Sequence, residues 1–470
     1  MAGIGFRIER LLDQDSYTGT FRAYLHAAVV SAGSMLATSA CMGALVYFGR
    51  TGLNHLDLLR FQVTVTHVYC FGMLLIGPLQ MVLHRYLADV FWAGRPEKVL
   101  PCFRGALAIH AALATPVAAA VLGAAGLPAV DVAVGSVLFG TTACIWVVSA
   151  FLSLCKAYEA VTGSFVLSLG VSFGAAWALG HDHGYTGLLA GFTSGHLLLL
   201  VMLYAQVVVE FPGQREGAGA SLSWLTWGRR YPWLVATGAL SSLAIWADKL
   251  AFWMSAGAQP LLGPMRYHPI YDPCVFLGLL TAVPAFAHFL LVLETRFYRI
   301  FRTFCEQISS GAPYGQFGRT RDRMALMLRE EFLQLAKLQG AVVLGVFFAA
   351  PRLLELAGMP EAYAHLVRAG SLAVSLGVGV NLHVVVLLYF DLQRDAALLA
   401  GFYAAASWAL SRMSLTLGLR FYGYGYLAAG LLALALGAWL VDRALWRMEF
   451  TLFRRGALRS LGGAAEESIP

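Results

Sequence analysis

Charge is the scarcest property of this sequence. Asp, Glu, Lys and Arg make up 13% of its 470 residues, about half the share of a soluble domain. A chain so poor in charge cannot give itself an ordinary hydrated surface. Cysteine is sparse as well: Cys41, Cys70, Cys102, Cys144, Cys155, Cys274 and Cys305 are scattered and contain no CxxC pair. That spacing excludes a zinc ribbon and a disulfide framework, and the thiols read as small apolar residues. There is no Walker A sequence, and Gly377-Val378-Gly379 lies inside an apolar run, so no phosphate loop and no cofactor are expected.

What the chain has instead is hydrophobicity. Apolar residues reach 59% and mean hydropathy is +0.68. They fall into about twelve runs, each close to the 20 residues that cross a bilayer as a helix. The runs lie near 23–48, 62–84, 103–125, 130–154, 161–180, 185–209, 231–256, 271–295, 333–357, 366–390, 395–418 and 421–445. In hydrocarbon only helices and closed barrels satisfy every backbone polar group. The expected fold is therefore all-α: a polytopic membrane protein of about twelve helices in two sets of six.

The organisation follows: a short N-terminal segment 1–21, an N-lobe 22–209, a linker 210–230, a C-lobe 231–447 and a tail 448–470. Pro212, Gly213, Gly217 and Gly219 suggest a flexible joint between the halves. In segment 1–21, Ile4, Phe6, Ile8, Leu11 and Leu12 alternate with Arg7, Glu9, Arg10 and Asp13, as in a surface-lying amphipathic helix. Some twenty residues precede the first run, which is also too long for a signal-peptide core, so no cleavable leader is expected.

The net charge of +7 would suggest nucleic acid in a soluble protein, but its placement argues for topology. With the N-terminus inside, inward segments hold about 25 of the 33 Lys and Arg, and outward loops about seven. Both termini are then cytoplasmic, and the basic excess faces lipid headgroups rather than nucleic acid. One long inward segment, 296–333, places Phe297, Ile300, Phe301 and Phe304 at helical spacing, with Arg296, Arg299 and Arg302 on another face. It reads as a helical hairpin on the lipid surface, or as a platform for a partner. Outward loops are short, the longest near 256–270, which leaves no room for an outer catalytic domain.

Few residues within the runs could carry chemistry. Asp248-Lys249 is the sharpest pair: ionisable groups at that depth cost about 2.5–3.5 kcal/mol each on insertion scales. They should face a cavity or a partner, although adjacent helical residues point about 100° apart and need not pair with each other. Asp272-Pro273 has the form of a helix start, with Asp as N-cap, or of a carboxylate at a vestibule beside Tyr267, His268 and Tyr271. Glu294 and Arg296 end the eighth run; Glu294 could pair with Arg299 or Arg302, and Asp391 and Arg394 could do the same at the next inner turn. His67, His110, His196, His288 and His383 read as hydrogen-bonded bundle residues, each also able to relay protons. Gly187, Gly191 and Gly195, with Gly170 and Gly174, suggest close helix packing; Gly77-Pro78 and Pro284 suggest kinks.

Met1-Ala2-Gly3-Ile4-Gly5-Phe6, Arg22-Ala23-Tyr24 and Ser31-Ala32-Gly33 are followed in order by Asp248-Lys249, Tyr271-Asp272 and Glu294-Thr295-Arg296-Phe297-Tyr298. Over nearly the whole chain this set resembles the PelG family, inner-membrane transporters of the bacterial Pel exopolysaccharide. Ser34 is a departure, standing where the family pattern has proline. The resemblance implies the fold of the multidrug/oligosaccharidyl-lipid/polysaccharide (MOP) exporter superfamily, two six-helix lobes around a central cavity. It also implies movement of a polymer rich in galactosamine and N-acetylgalactosamine into the periplasm. The implied partners are a cytosolic glycosyltransferase, a cyclic-di-GMP receptor subunit and a repeat-containing membrane protein.

A partly cationic polymer favours carboxylates and aromatic faces. Asp248, Asp272, Trp246, Trp253, Tyr267 and Tyr271, with Lys249, supply them for a pathway, and Glu294, Arg296, Arg299 and Arg302 for docking or gating. The favoured reading is an exporter rather than an enzyme. Its rivals are a cation-coupled small-molecule efflux pump, a lipid-linked oligosaccharide flippase and a non-transporting scaffold for a synthase. N-lobe runs almost without acidic residues weaken the first, and runs with few Lys or Arg weaken the second.

Overall fold

The structure, a computed structural model, describes residues 18, 36–49, 52–152, 158–211, 221–292 and 296–462. The amphipathic segment 1–21 (Thr18 apart), the glycines and proline of 212–219, Glu294 and the tail beyond 462 lie outside the described residues.

The N-terminal half contains α1 (Leu36–Gly49), α2 (His55–Trp92), α3 (Val99–Ala124), α4 (Ala129–Leu152) and α5 (Tyr158–Glu210). A short α6 (Leu225–Arg230) leads into α7 (Pro232–Trp253), a two-stranded hairpin β1 (Gln259–Leu262) and β2 (Met265–Tyr267), then α8 (Tyr271–Leu279) and α9 (Val283–Val292). The chain finishes with α10 (Tyr298–Ser309), α11 (Tyr314–Ala357), α12 (Ala364–Tyr389), α13 (Gln393–Thr416) and α14 (Tyr424–Gly462).

Among the described residues nine helical stretches are long and apolar enough to cross a membrane. Three more come from α1, which is apolar but short here, from α13, whose apolar run is diluted by Arg394, Asp395, Arg412 and several serines, and from α5, which is two spans. The break in α5 is Gly184, at φ 56° and ψ −131°, a conformation only glycine adopts without strain. The two arms fold back on each other through Gly187, Gly191 and Gly195, where any Cβ would collide with the backbone around Leu179, Ala176 and Ser168. Small residues thus bring the helices together. Gly170 and Gly174 do not take part: both face open space, and Ser168, Ser172 and Ala176 fill the facing row instead.

Each half buries its own apolar interior. Phe61, Leu188 and Phe192 centre one cluster of the N-terminal half, and Phe103, Phe151 and Leu203 another. In the C-terminal half, Phe297, Phe304, Met324 and Leu387 form one cluster and Phe252, Tyr271, Leu354 and Leu366 a second. The first of these corrects the expectation for residues 296–333. The apolar side of α10 packs into its own half, against Tyr389 and Phe390, rather than onto lipid. The charged stretch after Pro313 also runs without interruption into the following span as α11. Residues 221–230, expected within a flexible joint, are likewise anchored: Trp224 is fully buried and Trp227 donates to Asp89 of α2 at 2.7 Å. Pro284 interrupts its span as expected, because it cannot supply the N–H that the Leu280 carbonyl needs; a 3-10 turn at Leu280–Ala282 separates α8 from α9.

Candidate functional site

The two halves meet along α2 and α7, which run side by side over their length. Near one end His67 of α2 stacks on Trp253 of α7, ring centroids 4.4 Å apart and 12° from parallel. In the middle, Gly77 and Gly238 cross so closely that a Cβ on either would strike the other's backbone. At the far end the Arg85 guanidinium lies 5.1 Å from the Tyr231 ring and 3.9 Å from Asp391 in the α12–α13 turn. Asp391 is in the left-handed region (φ 56°), where a short polar residue closes a helix at tolerable cost. The first end also carries the β hairpin; the second is rich in arginine.

Asp248 lies on α7 with no solvent exposure. A buried carboxylate needs charge and hydrogen-bond partners, and it has both. Lys249 folds back along the helix, so that Nζ donates to both carboxylate oxygens at 3.2 and 3.3 Å and to the Ile245 carbonyl at 3.3 Å. The flexible stem thereby overcomes the 100° offset between adjacent positions. The Tyr271 hydroxyl donates to Asp248 from α8 at 2.9 Å, and its ring is clamped on Phe252 at 3.5 Å. The ammonium faces two further rings, Trp246 at 5.4 Å and Tyr426 at 5.7 Å, a cation–π cage. Tyr426 in turn stacks with Tyr403 of α13 at 6.3 Å.

Asp272 adjoins this group but is not an N-cap. The helix begins one residue earlier, and Asp272 sits in its first turn. Its Oδ2 accepts from Trp253 Nε1 at 2.8 Å and from the backbone N–H of His268 at 2.9 Å. Asp272 therefore holds the ring that stacks on His67 and, at the same time, the root of the hairpin. Trp246 and Trp253 lie 6.3 Å apart, so the two carboxylates and their aromatic partners form one continuous patch at the seam. Tyr267 is not part of it: it donates to Gln259 across the hairpin and packs against the N-terminal half.

The proposed docking residues separate. Arg296 donates to Glu331 of α11 at 2.6 Å, and His288 lies 3.4 Å from the same carboxylate, so Arg296 braces α10 against the bundle. Arg302 pairs with Glu306 on its own helix at 2.7 Å, while Arg299 is exposed. Arg394 is directed over Trp233, 5.5 Å from its ring. Among the described residues no cluster of three His, Cys, Asp or Glu is arranged to hold a metal; His181-Asp182-His183 forms none.

Reasoning from sequence missed His67 as the partner of Trp253, and Tyr403 and Tyr426 as walls of the site. His67 belongs to a span of the other half, and the two tyrosines to the last two spans, so no local pattern ties them to α7. A tyrosine inside an apolar span was the signal available, because its hydroxyl must find a partner there.

The family model of the PelG exopolysaccharide exporters (EPS-E) matches residues 1–453. The chain belongs to this family. Comparison with curated protein sequences finds no match. Among solved structures the chain is similar to one described as the outward-facing conformation of a multidrug resistance MATE family transporter of the MOP superfamily. That likeness has TM-score 0.63 and 15% identity over 91% of this chain and 96% of that one. It is also similar to an inward-facing conformation of such a transporter, at TM-score 0.57 and 14% identity over 89% and 99%, and to a MATE protein in a straight conformation, at 0.61 and 14% over 91% and 96%. At these identities the likeness establishes the fold alone, the all-helical, multi-pass fold of those MATE structures.

Proposed function

We propose that this chain exports an amino-sugar exopolysaccharide, Pel-like and rich in galactosamine and N-acetylgalactosamine, from cytoplasm to periplasm across the bacterial inner membrane. The arginine-rich end then faces the cytoplasm, with both termini, and the hairpin end faces the periplasm. The observation that carries the reading is the patch at the seam between the halves. Gathered there, in a chain of an exopolysaccharide exporter family, are the buried carboxylate of Asp248, the partly buried Asp272 and Lys249, and a run of aromatic rings. Sugar rings stack on aromatic faces, while hydroxyl and amino groups exchange hydrogen bonds with carboxylates. Asp248 and Lys249 neutralise each other within the C-terminal half; parting of α2 from α7 would uncover the Trp253 face of the patch for a passing saccharide.

The chain acts on this reading as a conduit or alternating-access carrier, not as an enzyme. Its partners are a cytosolic glycosyltransferase that elongates the polymer, a cyclic-di-GMP receptor subunit and a repeat-containing membrane subunit. Cation-coupled efflux of small molecules is the competing use of the same fold. The test is the position of the polymer in cells lacking the chain, followed with a lectin for N-acetylgalactosamine on intact cells and on lysates. Loss of surface polymer, reversed by restoring the chain, is the expected result; undiminished surface polymer contradicts it and favours efflux. No polymer in either fraction points to a scaffold for synthesis.

A further inference from the structure

The hairpin between α7 and α8 belongs by sequence to the C-terminal half, yet it is built into the N-terminal one. Its strands pair Gln259 with Tyr267, Pro260 with Arg266 and Leu262 with Met265, with an irregularity between Pro260 and Leu262. Leu262 and Met265 at the tip are buried, 7% and 5% exposed, in the cluster formed by Leu122, Leu188 and Phe192. Gly263 turns the tip at φ +54° and approaches α3 so closely that a Cβ there would lie 2.6 Å from that of Ala125. Behind the tip the hairpin roofs a cleft of about 480 Å³ lined by Asp57, Arg60, Asp131 and Thr186 of the N-terminal half.

The root of the hairpin is fixed to the site. Arg266 donates to the carbonyls of Ala258 and Ser255 at 2.9 and 3.4 Å. The Tyr271 N–H donates to His268 Nδ1 at 3.1 Å, and the His268 N–H donates to Asp272, the carboxylate that also holds Trp253. One end of the element therefore grips the opposite half, and the other end shares residues with the Asp248 patch. Unlike the helix seam, this bridge rests on only four apolar side chains, Leu261, Leu262, Met265 and Tyr267, set into the edge of the N-terminal cluster, so it can release at a smaller cost than parting the helices.

We propose that residues 259–267 form the outer gate of the transport path: docked on Ala125 the hairpin closes the periplasmic mouth, and it must lift for polymer to leave. The proposal rests on the transport reading above. Because the tip and its dock lie in different halves, covalently joining them holds the gate shut without touching the Asp248 patch.

The experiment places cysteines at Ala125→Cys with Gly263→Cys, and, because Gly263 needs a left-handed backbone, at Ala125→Cys with Leu262→Cys as a second pair. Of the native cysteines described, only Cys305 is exposed, and it lies at the opposite end. Surface polymer is measured before and after a membrane-impermeant reductant, and cross-linking is read on the purified chain. The gate predicts that at least one pair cross-links, that surface polymer then falls at least tenfold, and that reduction restores it to the level of the corresponding single-cysteine variants. Complete cross-linking with unchanged export makes the hairpin a fixed strut and overturns the gate. So does a loss that reduction fails to reverse, or the absence of cross-linking in both pairs at normal membrane levels. Failure of the transport reading shows separately, as a wild-type chain that restores no surface polymer to deleted cells.

Discussion

At the scale of single residues the decisive fact is the mutual dependence of Asp248 and Lys249. Removing one member of a buried pair strands the other charge, at about 3–5 kcal/mol, whereas removing both costs far less. Lys249→Met should therefore lower the thermal unfolding midpoint in detergent more than Asp248→Asn/Lys249→Met does. Equal midpoints for the two would show that the pair contributes nothing to the folded state. His268 offers a second test. It is 2% exposed, enclosed by the rings of Phe252, Tyr271 and Tyr422 with the Asp272 carboxylate alongside, and burial lowers its pKa from 6.5 to about 4. As pH falls through this interval the unfolded chain takes up a proton that the folded chain refuses, so stability present above pH 6.5 is progressively lost toward pH 4. The unfolding midpoint should drop between pH 7 and pH 5 in the wild type and change less in His268→Gln; parallel curves would contradict the assignment.

At the scale of elements, the hairpin of spans within α5 depends on three glycines out of five. Gly191→Leu inserts a side chain into the backbone of Ala176 and should cost about 3 kcal/mol or more, seen as a several-fold loss of monodisperse protein. Gly174→Leu, which meets open space, should be close to neutral. Comparable losses in both would contradict the packing. Spacing alone could not separate the two sets, because a four-residue repeat says that one face is smooth and not which face is covered. The same limit explains α10. Its period placed Phe297, Phe301 and Phe304 on one side correctly, but an apolar side fits lipid and protein equally well in sequence. Tyr389 and Phe390, nearly ninety residues on, and Phe317 against Phe304 decide for protein. The hairpin strands were not legible at all, since the stretch 259–267, broken by Pro260, Gly263 and Arg266, carries no clear alternation.

At the scale of the whole molecule, the fold was largely written in hydropathy: the spans fall where the apolar runs do, because hydrocarbon admits no other backbone. The seam between the halves was not legible, as it depends on pairs such as Gly77 with Gly238 and His67 with Trp253, more than 150 residues apart. Asp248 and Lys249 stood out on energetic cost, and the structure supplies what cost alone could not: which rings and which tyrosine surround them. On the proposed function, polymer passes at this seam by way of the Asp248 patch. That passage is tested most directly by measuring surface N-acetylgalactosamine polymer in deleted cells carrying either the wild-type chain or Asp248→Asn/Lys249→Met, at matched membrane levels and with both proteins monodisperse. The expected result is a folded double variant whose surface polymer falls at least tenfold; export at the wild-type level from that variant would contradict passage through the patch.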